Sequence, residues 1–229
     1  MEKNHVFQHL QVPFQKSLIY TRLGYAKTKT VLEPHTKSQI EKWITQARGL
    51  CDMTVVYRIL PVIHVHENGV QLAEGIEFPG KSLARLLMHS TSAVLMAATS
   101  GHKITDEIQR LQQTGEMSKA LVYDAAASEI TDAGLDWLAA FIRRPLTSQG
   151  QSLTHMRFSP GYGDLGLENQ QTLVQTLELD KWGVKLTESY ILTPEKTVTA
   201  IMGIEAPSAE VRWFYEAKHL SGTQPKPLR

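Results

Sequence analysis

The stretch from Ser118 to Ile142 constrains this chain more than any other: it has helical spacing and carries Ala120, Ala125, Ala126, Ala127, Ala133, Ala139 and Ala140. Alanine loses no side-chain entropy in a helix, and its short side chain lets a neighbour approach closely. The segment is therefore expected to be the longest helix and to pack tightly. Pro145 is expected to stop it, because the residue before a proline is driven out of the helical region.

Strand signals come in hairpins. Met53 to Val65 is rich in valine, isoleucine and tyrosine, residues that suit a pleated, half-buried surface. Glu67-Asn68-Gly69-Val70 predicts a tight primed turn, with Val70 to Phe78 returning. Pro61 predicts an edge or a bulge, since proline has no N–H for the ladder. Ala93 to Thr99 reads as a buried strand ending at Ser100-Gly101. Leu186 to Leu192 and Thr197 to Ile204 read as a second hairpin joined by Thr193-Pro194-Glu195-Lys196. Helical spacing marks Ile40 to Leu50, Ser82 to Leu87, Ile104 to Gln113 and Glu168 to Leu179, the last closed by Trp182-Gly183. Hairpins set apart from runs of helix indicate an α+β fold with antiparallel pairing. No predicted strand is followed by GxGxxG, so a dinucleotide-binding fold of that type is not expected.

With 229 residues and 42% apolar content the chain can bury a full core. Its 24 basic and 23 acidic residues leave a net charge of +1 without a block of either sign, so neither nucleic acid nor a membrane surface is an expected partner. Cys51 is the sole cysteine, which excludes an internal disulfide and a cysteine-built zinc site; it reads as a buried, inert thiol. Met1 to Leu10 lacks the apolar core of a signal peptide, and Ser92 to Ser100 is too short to span a bilayer. The expected location is the cytoplasm.

Chemistry concentrates in His155-Met156-Arg157-Phe158-Ser159-Pro160-Gly161-Tyr162-Gly163-Asp164. Proline and two glycines make this a poor helix and a poor central strand. It reads as a rigid loop offering backbone amides, an arginine fork and an aromatic face, suited to a small ligand with a carboxylate and a flat ring; a surface turn with an arginine salt bridge is the plainer alternative. Asp132 and Asp136 share a helix face, either as a solvated stripe or with one acid placed for a ligand's ammonium group. Glu188 falls inside an apolar run, where an unpaired charge is costly; it is expected to be solvated, to meet Arg157 or to line the same site. His64 and His66 face one way on a strand and suggest two metal ligands without an evident third. Ser100-Gly101-His102 lacks the GxSxG elbow of a hydrolase.

The order of these segments resembles the activation domain of cobalamin-dependent methionine synthase. Arg157 to Tyr162 matches its RxxxGY signature. Gly183-Val184-Lys185-Leu186-Thr187-Glu188-Ser189, Pro194 and Val198 to Ile204 resemble its G-x-x-L-T-E-S…P…S-V-S-A run. Asp124-Ala125-Ala126-Ala127-Ser128 through Asp136 resembles its acidic helix, Ala97 to Gly101 its AATLG strand end, and Arg22-Leu23-Gly24-Tyr25 the RYLGY start of free-standing versions. The likeness covers roughly Leu18 to Glu205. It implies a C-shaped single α+β domain with a bent antiparallel sheet flanked by helices. The expected division is an N-terminal arm (1–17), the domain (18–220) and, from its glycine, proline and lysine content, a mobile tail (221–229).

The resemblance also implies a ligand, S-adenosylmethionine (AdoMet). Arg157 would pair with its carboxylate, the backbone around Ser159 and Gly161 would meet adenine and ribose, Tyr162 would pack beside it, and Asp132 would face its amino group. Thr199-Ala200 stands where the family carries an aromatic pair. The chain contains no DxHxxG cobalamin motif. The expectation is a free-standing reactivation protein with no catalytic acid or base of its own. It would act on a separate cobalamin-carrying methionine synthase core or other corrinoid protein, with flavodoxin or ferredoxin as electron donor. The alternatives are a corrinoid-docking module that binds no AdoMet and a metal-dependent enzyme built on His64 and His66.

Overall fold

The long alanine-rich segment sets the architecture. In the computed structural model, which describes residues 3–25 and 32–206, it lies between a sheet on one side and a layer of helices on the other. The chain opens with β1 (His5–Phe7), α1 (Lys16–Arg22) and α2 (Pro34–Leu50). Strands β2 (Thr54–His66), β3 (Gly69–Leu72) and β4 (Glu77–Pro79) follow, then α3 (Lys81–Leu87), β5 (Ser90–Thr99), α4 (His102–Gln113) and α5 (Met117–Ser148). The last elements are β6 (Ser152–Leu153), α6 (Gln170–Thr176), β7 (Lys185–Leu186), β8 (Leu192–Thr193) and β9 (Thr197–Glu205).

The main sheet has the order β4-β3-β2-β5-β9-β6, with β1 also on β2, and every pairing is antiparallel. This is the α+β domain expected from the hairpin pattern, a bent antiparallel sheet flanked by helices. Glu67 and Asn68 form the two-residue turn from β2 to β3; Gly69 already pairs with His66, and no positive φ occurs at 67–69, so the turn falls one residue earlier than expected and is not a primed one. The register slips between Val62 and His64. Pro61 is the last residue of the β2–β5 ladder, opposite Ser92. The bulge follows the proline closely, on the β3 side of the strand.

Alternation divides the sheet into two apolar faces. Val55, Tyr57, Val94, Met96, Ala200 and Met202 meet Ile130, Leu135 and Leu138 of α5. Val56, Leu60, Leu95, Ala97 and Ile201 meet Leu83 and Leu87 of α3 and Leu173 of α6. The first half of α5 turns its alanines to a third cluster with Ile19 of α1, Ile44 of α2 and Ile104 of α4. Burial on two sides explains the alanine content. At Gly134 even a β-carbon would stand 2.9 Å from the Met53 sulfur and 3.1 Å from Ala98 Cβ, so helix and sheet touch nearly backbone to backbone.

Four further local expectations are corrected. Residues 5–7 pair with β2 and Val12 is buried, so much of the expected arm belongs to the domain. Helix α5 runs through Pro145 to Ser148; that close to the C-terminus, proline forfeits a single helical bond. Residues 167–182 form 3-10 turns either side of α6 instead of one helix. Leu186 to Leu192 is not a strand: β7 and β8 are two residues each and pair with one another. Thr187 N–H donates to the Ile191 carbonyl (2.9 Å), the Ile191 N–H donates to Thr187 Oγ1 (3.0 Å), and Tyr190 takes a φ of 60°. The expected tail (221–229) lies outside the described residues. Among the described residues no helix is long and apolar enough to cross a membrane.

Candidate functional site

The loop after β6 is tied down at both ends. Phe158 and Ile201 exchange backbone hydrogen bonds (2.9 and 2.8 Å), and Ser159 Oγ donates to the Thr199 carbonyl (2.7 Å). The chain then turns on itself, with Gly161 N–H donating to the Leu165 carbonyl (2.8 Å) and Tyr162 N–H to that of Ser159 (3.1 Å). Gly161 at φ 91° and Gly163 at φ 54° occupy the left-handed region, which explains both glycines. At the far end the Asp164 carboxylate accepts N–H bonds from Lys81 (2.5 Å) and Ser82 (3.1 Å) at the start of α3. The Ser82 side chain, and then these backbone amides, hold the Asp164 carboxyl below the ordinary range. The proline-glycine segment is thus a braced ridge along β9, with the Tyr162 ring 66% exposed upon it.

Arg157 leaves this ridge toward α5. Its Nη1 pairs with Asp136 Oδ1, and its Nη2 lies 4.0 Å from Asp132 Oδ1. Asp132 also accepts from Arg22 Nη2 of α1 at 2.5 Å, and Arg22 Nε lies 3.4 Å from Glu129 Oε2. Helical periodicity puts Glu129, Asp132 and Asp136 on one face. The result is an alternating line, Asp136–Arg157–Asp132–Arg22–Glu129. Glu129 is buried, and burial raises its carboxyl pKa against the opposing pull of Arg22. Arg22 was not among the site residues expected from sequence. It meets Asp132 from 110 positions away in sequence, and no local pattern announces such a contact.

Beside Asp132 lies a small cleft of about 150 Å³, lined by Ser128, Thr131, Asp132, Glu195, Lys196 and Val198 among others. The link from β8 to β9 forms its wall. Lys196 Nζ donates to Asp124 Oδ1 (2.6 Å) and Ser128 Oγ (3.0 Å), and the Lys196 carbonyl accepts from Ser100 N–H (2.9 Å). The buried hydroxyls of Ser100 and Thr131 bond each other at 2.8 Å. These contacts fix the link against the middle of α5.

The structure thus brings Arg157, Asp132 and Asp136 together, while Ser159, Gly161 and Tyr162 follow Arg157 on the same loop, which runs on to the start of α3. The remaining three candidates stand differently. Glu188 sits in the exposed turn after β7 and lines a separate hollow with Gln171, Val174 and Tyr190. Arg157 finds its acids on α5 instead. Thr199 is buried, its Oγ1 donating to Gln170 Oε1 at 2.6 Å; it offers the loop only its carbonyl. Ala200 is buried on the other face, against α5. The rings of His64 and His66 stack 6.0 Å apart, and no group of three or more histidine, cysteine or acidic residues is placed for a metal among the described residues. Burial pushes the Cys51 thiol up to about 11.

Chemically the line of charges can address a zwitterion. A guanidinium fork matches a carboxylate and an aspartate matches an ammonium. The two guanidinium groups lie among three carboxylates within one short row.

No protein-family model matches the sequence, and no curated protein does. Among solved structures, the chain is similar to the crystal structure of the MetH reactivation domain bound to AdoHcy. The TM-score is 0.66 at 12% sequence identity, covering 97% of this chain and 87% of that one. At this identity the likeness shows a shared fold.

Proposed function

We propose that this chain binds AdoMet and docks on a cobalamin-carrying protein to support its reductive reactivation. The observation that carries the reading is the pairing of the braced RxxxGY ridge with the alternating ion line on α5. Arg157 would hold the methionyl carboxylate and Asp132 its ammonium group, while Ser159, Gly161 and Tyr162 supply the edge for the nucleoside. The fold shared with a domain that holds AdoHcy supports this. AdoMet would bring a transferable methyl group; the acceptor cobalt belongs to the partner, a methionine synthase core or another corrinoid protein, and the electron to a flavodoxin- or ferredoxin-like donor. The residues named here bind and orient. Arg157 and Asp132 are already engaged by acids and by Arg22, so ligand entry would exchange internal partners for external ones. Rigid positioning of this kind is a large part of what a protein contributes to such a transfer.

One observation favours a second reading, docking on a corrinoid protein without AdoMet: Thr199 and Ala200 are buried and offer no aromatic contact where the family has a pair. Calorimetric titration separates the two. Under the first reading AdoMet binds one site saturably, and both Arg157→Ala and Asp132→Asn weaken it by about tenfold or more, the loss of one charge-assisted bond. Absence of binding to the wild-type chain leaves only the docking role, and binding unaltered by either substitution removes this site from the account.

A further inference from the structure

A larger cleft lies elsewhere, on the face of the sheet away from α5. It measures about 780 Å³ and is lined by Lys3, Asn4, Arg58, Glu74, Lys181 and Trp182 among others. Arg58 lies on β2 between Val56 and Leu60, residues of the face that packs on α3 and α6. It is only 8% exposed, an unusual place for a guanidinium. Its Nη2 meets Glu74 Oε1 at 2.5 Å. Glu74 reaches it from a 3-10 turn in which its own backbone takes a φ of 63°, a conformation that disfavours any side chain. Arg58 Nε is buried and has no partner among the described residues, and the same holds for Asn4 Oδ1. The Asn4 amide nitrogen is committed to the Thr176 carbonyl and to Glu178. Lys181 is paired with Glu178 at 2.7 Å.

We infer that this cleft binds a small monocarboxylate with a flat apolar body and a neighbouring O–H or N–H donor. The charges decide the class. Lys3, Arg58 and Lys181 against Glu74 and Glu178 leave a surplus of one positive charge, which suits a monoanion. A phosphate dianion would face the Glu74 carboxylate next to the guanidinium. A carboxylate on the Nε edge of Arg58 gives the fork its second acceptor. A donor beside that carboxylate satisfies Asn4 Oδ1, which buried and unpaired is costly. Trp182, Val6 and Ile76 supply apolar walls for a ring. This site shares no residue with the Arg157 ridge, so it stands or falls independently of the AdoMet reading.

The test is a titration of ¹⁵N-labelled full-length chain with salicylate, which carries all three features, followed by NMR on the Arg58 Nε–H and Trp182 indole N–H signals. Phenol, lacking the carboxylate, is the control. Saturable shifts with salicylate and none with phenol are expected. Glu74→Gln removes the competing acid and should tighten binding about threefold or more, while Arg58→Met should weaken it about tenfold. If Arg58→Met fails to fold, Lys181→Met at the exposed rim supplies the weakening variant. The proposal is overturned by equal shifts with phenol, by no saturable shift at these two signals, or by Glu74→Gln weakening the interaction.

Discussion

Lys196→Met removes one ammonium and keeps the aliphatic stem, which isolates the tie between the β8–β9 link and α5. The lysine side chain is 11% exposed and that of its partner Asp124 46%. Two hydrogen bonds are lost, to Asp124 at 2.6 Å and Ser128 at 3.0 Å. Bonds to charged groups contribute about 1.5–3 kcal/mol. Asp124 is half open to water and rehydrates once abandoned, which places Lys196→Met near the low end, at about 1.5–2 kcal/mol. Asp124→Asn leaves the nearly buried ammonium with a neutral amide and should cost about 1 kcal/mol. The two substitutions share one interaction, so the double variant should fall short of additivity by about 1 kcal/mol. Urea unfolding followed by tryptophan fluorescence and circular dichroism reads all four corners, provided the slopes agree. A loss under about 0.5 kcal/mol for Lys196→Met, or an additive double variant, would refute the reasoning and leave the lysine a solvated surface charge.

Other perturbations probe the same region. Burial raises the folded Glu129 carboxyl above its unfolded value, so the folded state binds the proton more tightly. That contribution to stability is present below the ordinary glutamate value and lost as pH rises through the raised folded one; Glu129→Gln should flatten this fall in a series of denaturation curves, and an unchanged slope contradicts it. Gly161→Ala forces a side chain onto a φ of 91° and places its β-carbon 3.3 Å from Leu167 Cδ1, so thermal unfolding should report a loss of about 1–2 kcal/mol. With its thiol pushed up to about 11 by burial, Cys51 should react with a disulfide reagent at pH 8 far more slowly in the native chain than in urea; equal rates would show the thiol to be exposed.

The fold was largely legible where periodicity and turn chemistry agree. Asn68-Gly69 placed the β2–β3 turn to within one residue though not its type, Pro61 pointed to the nearby bulge, and the alanine run located the central helix. Alternation misled at Leu186 to Leu192, where the Thr187 hydroxyl and a left-handed Tyr190 reverse the chain after two residues; a side-chain bond to the backbone outweighed the two-residue period. The short β1 has too few residues to show a period at all. For the site, spacing on α5 was enough to group Asp132 with Asp136, and the glycines and proline marked the ridge. Thr199 meets the ridge through its carbonyl while its side chain bonds Gln170, and Ala200 faces α5, because alternate residues of β9 enter opposite cores; Glu188 lies in the exposed turn after β7. Arg22 is the reverse case, adjacent in space through the packing of α1 on α5.

The central claim is that AdoMet is held between the ridge and α5. Amide shift mapping of the wild-type chain titrated with AdoMet tests it most directly, since it reports location as well as binding. The account predicts saturable shifts confined to residues 157–162 of the ridge and 129–136 of α5, with the Arg58 and Trp182 signals unmoved. Saturable shifts confined to the Arg58 cleft, or none anywhere, would contradict it.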